Sequence, residues 1–281
     1  MIHILIPTYN RLKFTIECID SLKKQSISEL LNIIVIDDLS QDGTQNYLKK
    51  HFPDVTILSG SGSYFWTGAI YHGVKHVLEK SKPNDWLLLV NNDVVVEKNT
   101  IKKLISISEK FDRRAIVGAL ALNKEDKKTI IKSGTIVKSW FFNVTDHVFQ
   151  GQDHFKLSKQ DGDYVDVDFL TGRCLLHPIE IFSIVGNYDL KNFPHYGSDD
   201  EFSMRIKKKN YKSLLSLNSV VYLQNEKNLK KKSFLPTLFG IRSSSNVINK
   251  FYLSLKIAPA YSKLTFFIVG VLKSIYVYIR R

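Results

Sequence analysis

The sequence predicts an α/β fold: a mostly parallel central sheet with helices on both faces, followed by a basic, apolar helical tail. Three observations predict it. Short β-rich runs alternate with helix-period segments through the first 125 residues, the pattern of parallel strands joined by crossover helices. The apolar runs of this half end in polar or acidic residues, as strands do where an open sheet presents its carboxyl ends to a ligand. Charge then divides the chain. Of 40 Lys and Arg and 27 Asp and Glu, residues 227–281 hold eleven basic groups and no acidic one. A nearly neutral domain, 1–226, therefore precedes a cationic tail, 227–281.

The elements follow in order. "HILIPTY" (3–9) is a short strand, and "TIECIDSLKKQ" (15–25) places Ile16, Ile19 and Leu22 on one helical face. "NIIVIDD" (32–38) is a second strand ending in two carboxylates; "SQDGT" is a turn, and "TQNYLKKHF" a helix with Thr44 as its cap. "VTILSG" (55–60) is a third strand. Residues 67–80 space Ile70, Val74, Val77 and Leu78 as a helix face. "WLLLV" (86–90) is the fourth strand, and "NTIKKLISISEKF" (99–111) a helix capped by Asn99 or Thr100. Beyond it the pattern loosens. "AIVGALAL" and "TIIKSGTIV" read as strands, 146–164 as a long polar loop, and "IEIFSIVG" as a helix. Loops of that length in compact domains are usually functional.

Composition sets bounds on function. With 44% hydrophobic and 24% charged residues, the chain has the makings of a well-packed core. Cys18 and Cys174 lie in different elements and read as buried thiols of a reducing compartment, not as a disulfide or metal site. "MIHILIPTYN" has no secretory-signal pattern.

The polar strand ends carry the functional argument. "DWLLLVNNDVVVEKN" (85–99) interrupts an apolar run with Asn91, Asn92 and Asp93. Burying such groups unpaired costs about 1–3 kcal/mol each, so a turn or a ligand must satisfy them. Thr8 to Arg11 and Asp37–Asp38 end two other strands of the same sheet. Asn and Asp favour turns, but three such ends along one edge make a shared pocket the better reading.

"ILIPTYNR", "IVIDDLSQDGT", "GSGSYFWTGAIYHGV", "LLLVNNDVVV", "FLTGRCLLHP" and "FPHYGSDDEFSMR" stand in this order, and as a set they resemble the family 2 glycosyltransferases, over roughly residues 2–225. Within that family the resemblance is to the bacterial branch that builds O-antigen, capsule and related cell-wall polysaccharides. It implies the GT-A fold, a Rossmann-like α/β architecture, and inverting transfer from a nucleotide-sugar. It places Pro7, Thr8, Tyr9, Arg11, Asp37 and Gly68 around the donor nucleotide, with Asp37 accepting the imide N–H of uracil or thymine and Asp38 capping the following turn. Asp93, with Asn91, occupies the Asp-X-Asp position, where Mg²⁺ or Mn²⁺ neutralises a diphosphate. Asn91 departs from the two-carboxylate version and leaves fewer charges on the ion. Asp199 is implied as the general base ahead of Asp200, in a run with Glu201 whose mutual repulsion raises at least one pKa. Arg205 pairs with an acid or faces phosphate. Trp66, Gly172, Arg173 and Asp200 fall where donor sugar and acceptor meet; Gly60, Gly62, Gly68 and Trp66 form the loop over the donor, and Trp66 and Tyr64 either stack on a sugar or belong to the core. Gln224 stands where relatives have a late His.

The tail has its own reading. Its last apolar stretch, Leu264 to Ile279, is sixteen residues broken by Lys273. That is short of the ~20 residues that span a bilayer, so an interfacial helix on an anionic membrane surface is expected, the alternative being a contact with the domain or a second subunit of a homo-oligomer. No recognition motif accompanies the charge, which argues against nucleic acid as a partner. Together these features lead to an enzyme at the cytoplasmic face of the plasma membrane that acts on a lipid-linked glycan with a UDP- or dTDP-sugar donor. Two rivals stand beside it. A nucleotidyltransferase would need a Gly- and Arg/Lys-rich loop after the first strand, which "PTYNRLKF" lacks. A catalytically silent sugar-nucleotide or membrane-binding module is opposed by Asp37, Asp93 and Asp199.

Overall fold

The computed structural model describes residues 1–157, 162–224 and 233–279. Strands β1 (Ile2–Thr8), β2 (Leu31–Asp37), β3 (Thr56–Ser59), β4 (Trp86–Val90) and β5 (Val94–Val96) alternate with helices α1 (Leu12–Lys23), α2 (Thr44–His51), α3 (Phe65–Leu78) and α4 (Thr100–Glu109). Next come β6 (Ala115–Asn123), β7 (Ile130–Lys132), β8 (Thr135–Ser139), β9 (Val144–His147), β10 (Tyr164–Asp166) and β11 (Cys174–Pro178). Helices α5 (Ile181–Val185) and α6 (Ser198–Lys207) lead to β12 (Lys212–Leu223), and the tail forms α7 (Phe234–Phe239), α8 (Val247–Lys256) and α9 (Lys263–Ile279).

The sheet runs β10-β12-β6-β11-β4-β1-β2-β3. β3, β2, β1 and β4 are mutually parallel, and β6 is parallel to β12. β11 lies antiparallel between β4 and β6, so the principal strands share one direction. β1, β2 and β4 are buried almost throughout because they are covered on both faces. One apolar cluster packs α1, α2 and α4 on one face; the other packs α3, α5 and α6 on the opposite face. Full burial of each large aliphatic side chain contributes about 1.5–3 kcal/mol.

The helix starts differ in detail from expectation. Gly43, with φ +82°, precedes α2, and Asp42, not Thr44, receives the Thr44 N–H. Asn99 precedes α4 without a side-chain cap bond, while the Thr100 hydroxyl donates to the Val220 carbonyl across to β12. The expected polar loop at 146–164 includes part of β9 and a short 3-10 turn; its residues 158–161 lie outside the described residues, as do the 226/227 boundary and the Lys-rich start of the tail.

The tail folds back onto the domain. Ile257, Ala258 and Phe266 form a third apolar cluster with Phe169, and Trp140 packs against it. The C-terminal helical run is longer than the sixteen residues read from the sequence. With the 3-10 turn before α9 it covers Ala260–Ile279, twenty residues, long and apolar enough to cross a membrane by length and composition.

Candidate active site

A cavity of about 720 Å³ opens at the carboxyl ends of the parallel strands. The register explains why polar groups collect there. Thr8 pairs with Asp37 and Leu5 with Leu89, so β1, β2 and β4 end level with one another. Pro7, Thr8, Tyr9, Arg11 and Asp38 border the cavity at the β1–β2 end, Asn91 to Asp93 beneath β4, and Gly172, Arg173, Asp199 and Asp200 beyond.

The Asn-Asn-Asp triplet divides its work. Asn92 is buried, and its amide donates to the Thr8 and Thr15 hydroxyls, tying β4 to β1 and α1. Asn91 accepts the Trp66 indole N–H through Oδ1 at 2.8 Å. Asp93 Oδ2 accepts from Arg11 at 3.3 Å, whereas Oδ1 is buried with no partner. Among the described residues no group of three or more His, Cys, Asp or Glu gathers around a point. An orphaned, hard carboxylate oxygen still fits a divalent cation that takes its other ligands from a diphosphate. Asn91 fits that role less directly, because Trp66 already uses its amide oxygen. Gln224 donates its backbone N–H to the Asp93 carbonyl, and Lys124 donates to its side-chain oxygen.

The two β2 carboxylates have separate partners. Asp37 is buried outside the cavity lining and accepts from Ser40 through its backbone N–H and hydroxyl, and from Gln45. Asp38 accepts the backbone N–H groups of Gly62, Tyr64 and Phe65, so it organises the 60–65 loop rather than its own turn. Gly60 is required there: a Cβ would meet Asp38 Oδ1 at 2.6 Å. Tyr64 stacks on His72, and Gly68 lies within α3, where a Cβ would sit 3.2 Å from Tyr64.

Trp66 joins the two halves of the site. Its backbone N–H donates to His195 Nδ1, and the neighbouring Thr67 hydroxyl bonds Ser198. Its ring lies over Gly172, where a Cβ would fall 2.2 Å from the indole. The Gly172 N–H in turn donates to Asp199 Oδ2 at 3.3 Å.

Asp199 and Asp200 open α6 deep in the cavity. Removal from bulk water raises the Asp199 pKa, opposed by the Gly172 N–H and the Arg173 charge. Asp200 is raised well above the ordinary carboxylate range by desolvation and then by the Asp199 charge, with Lys250 opposing. The hydrogen bonds that favour an ionised carboxylate fall on Asp199, from the Gly172 and Asp200 backbone N–H groups, so of the two its rise is the more opposed. Glu201 is apart from them: Arg205 grips it from one turn on and also donates to the Val185 and Asn187 carbonyls. Arg205 thereby pairs with an acid, and it does not border the cavity.

Several lining residues carried no signal in the sequence. Lys132 and His147 arrive from β7 and β9, and Arg242, Asn249, Lys250 and Phe266 from the tail. Arg242 lies 5.2 Å from the ring centroids of both Tyr9 and Phe65. Asn249 is buried with its Nδ2 unpartnered. Cys18 and Cys174 are free and buried, which pushes the Cys174 thiol up to about 12; both are inert at neutral pH.

Comparison with known proteins places this geometry. The family described as "Glycosyl transferase family 2" matches residues 3–172. An uncharacterized glycosyltransferase of Mycoplasma pneumoniae is 30% identical over 148 residues, 51% of this chain and 48% of that protein. One from Mycoplasma genitalium is 27% identical over 120 residues, covering 41% and 39%. The match thus spans about half or less of these relatives' length. Among solved structures, GalNAc-T7 with UDP, GalNAc and Mn²⁺ superposes with a TM-score of 0.68 at 18% identity, covering 91% of this chain and 48% of that one. A mannosyltransferase of Pyrobaculum calidifontis with GDP-Man and Mn²⁺ gives 0.59 at 13%, covering 99% and 72%. These likenesses establish the GT-A type of fold.

Proposed function

The chain belongs to glycosyl transferase family 2, and on that premise we propose that it moves a sugar, with inversion, from a UDP- or dTDP-sugar to a hydroxyl of a polyprenyl-diphosphate-linked glycan. The observation that carries this reading is the placement of Asp199 and Asp200 in one cavity with Asp93 and the Pro7–Arg11 strand end. Solved structures of the same fold hold UDP with Mn²⁺, GDP-Man with Mn²⁺, or UDP-GlcNAc, which supports a nucleotide-sugar donor.

In this reading the nucleoside lies against Pro7, Thr8 and Tyr9, while Gly68, buried in α3 near Tyr64 and Leu190, does not border the cavity. Asp37, buried outside the cavity and held by Ser40 and Gln45, fixes the β2 strand end beside the nucleoside and does not meet the base. Arg11 supplies positive charge toward the diphosphate, and Arg173 stands where donor sugar and acceptor meet. Asp93 would hold Mg²⁺ or Mn²⁺ through its open oxygen, and the bound ion would neutralise charge on the leaving nucleotide. Trp66, held by Asn91 and seated on Gly172, walls the sugar. Asp199 takes the proton of the acceptor hydroxyl as that oxygen bonds to the anomeric carbon and the bond to the diphosphate breaks.

The tail supports a membrane-surface location. Of the large hydrophobic side chains exposed among the described residues, more than half belong to residues 233–279, including Leu264, Leu272 and Ile279. With eleven basic groups in the tail, this suits the anionic cytoplasmic leaflet. Isothermal titration of UDP-, dTDP- and GDP-sugars with and without Mn²⁺ tests the donor reading. One uridine or thymidine sugar should bind in a metal-dependent way that Asp93→Ala abolishes. Absence of binding by the folded protein to every member of the panel would refute it.

A further inference from the structure

Lys132 has no ion-pair partner among the described residues, and Arg173, whose charge reaches Asp199, keeps a buried Nε unbonded. Lys132, the last residue of β7, and Arg173, just before β11, both border the cavity. Arg173 Nε is buried and without a partner. Lys132 is half-buried, and burial together with the Arg173 charge pushes its pKa down, with no carboxylate acting on it. His147 borders the cavity from β9, bonded to the Thr135 hydroxyl; burial and the Lys132 charge lower its pKa, with the Asp146 carboxylate opposing. Like charges drawn together away from water oppose folding unless an anion joins them.

The position separates this cluster from the nucleotide. β7 pairs with β6, which β11 and β4 divide from the β1–β2 end where the nucleoside is placed. Arg173 stands between, close enough to Asp199 to oppose the rise in its pKa. An anion held by Lys132 and Arg173 therefore lies beside the base, on the flank away from Tyr9 and Arg11.

We infer that Lys132 and Arg173 form an anion subsite for a carboxylate or phosphate borne by one of the two sugars being joined, separate from the donor diphosphate. The inference rests on the glycosyl-transfer reading, and it makes the glycan under construction acidic. Charge-assisted hydrogen bonds of Lys and Arg to oxyanions are among the stronger polar contacts, so the subsite discriminates a charged sugar from its neutral counterpart.

The test uses the full chain saturated with UDP and Mn²⁺, whose own binding reports on the donor reading. Saturation-transfer NMR then follows methyl β-glucuronide, methyl β-glucoside 6-phosphate and neutral methyl β-glucoside, and titration compares UDP-glucuronate with UDP-glucose. At least a tenfold preference for the charged member is expected in one arm. The free glycosides place the anion on the acceptor, and the nucleotide sugars place it on the donor. Lys132→Gln should remove the preference with UDP affinity held within twofold, and Lys132→Arg should restore it. Equal binding of charged and neutral sugars in both arms by the unmodified protein overturns the inference. So does a Lys132→Gln protein that keeps the preference, or that loses UDP affinity as steeply, since Lys132 would then serve the diphosphate. Failure of UDP itself to bind overturns the donor reading, and this inference with it.

Discussion

Asp199 and Asp200 are adjacent, yet their carboxylates meet different surroundings. Asp199 accepts the Gly172 and Asp200 N–H groups, while Asp200 has Lys250 as its opposing charge. If Asp199 is the base, Asp199→Asn should lower kcat by about 10²–10⁴, the usual worth of a general base, with donor affinity within twofold; steady-state kinetics beside titration checks it. Asp199 must be ionised to act, so activity should rise with pH through a limb above the ordinary carboxylate range. Stability gives an independent check on Asp200. Its folded pKa is raised, so the native state binds the extra proton, and stability falls as pH rises from the ordinary carboxylate range through the raised value. Asp200→Asn should abolish that loss in thermal unfolding across the same window. At this scale the residue types were legible in the sequence, but their assignments were only partly so. No pattern reveals that Asn91 holds Trp66, that Asn92 joins strands, or that Arg205 takes Glu201 away from the acidic run.

Among the elements, the first four strands and their helices were readable because each strand is an apolar run buried on both faces. β12 was not. Ser213, Ser216 and Ser219 are buried within it, and Ser216 and Ser219 bond each other near an irregularity in its pairing with β6. Buried serines blur the apolar signal on which strand recognition depends. The contact of α3 with the loop before β11 carries the sharpest prediction at this scale. Gly172→Ala would drive a methyl into the Trp66 ring, and overpacking of this kind costs about 1–3 kcal/mol. Chemical denaturation should show that loss together with reduced activity, as Trp66 is displaced from Asn91. Asn92→Ala should cost about 1–3 kcal/mol by leaving the buried Thr8 and Thr15 hydroxyls short of a partner.

For the whole molecule, the concentration of positive charge after residue 226 was legible in the sequence, whereas the docking of residues 233–279 on the rest was not. Its contacts, Phe266 on Trp140 and Phe169, pair residues about a hundred positions apart. The same helix leaves Leu264 and Leu272 exposed on its outer side. Leu264→Glu with Leu272→Glu should therefore abolish flotation with anionic vesicles while leaving donor binding intact. Retention on vesicles would assign the tail to a subunit contact instead. The central claim is inverting transfer from a nucleotide-sugar, and the most direct measurement is proton NMR of the transferred sugar's anomeric centre. The protein, Mn²⁺, the donor selected by titration and a polyprenyl-linked glycan extract are incubated together. The account predicts a product of anomeric configuration opposite to the donor's, formed in step with nucleotide release and lost in Asp199→Asn. A product of retained configuration, or donor binding without transfer to any acceptor, would contradict it.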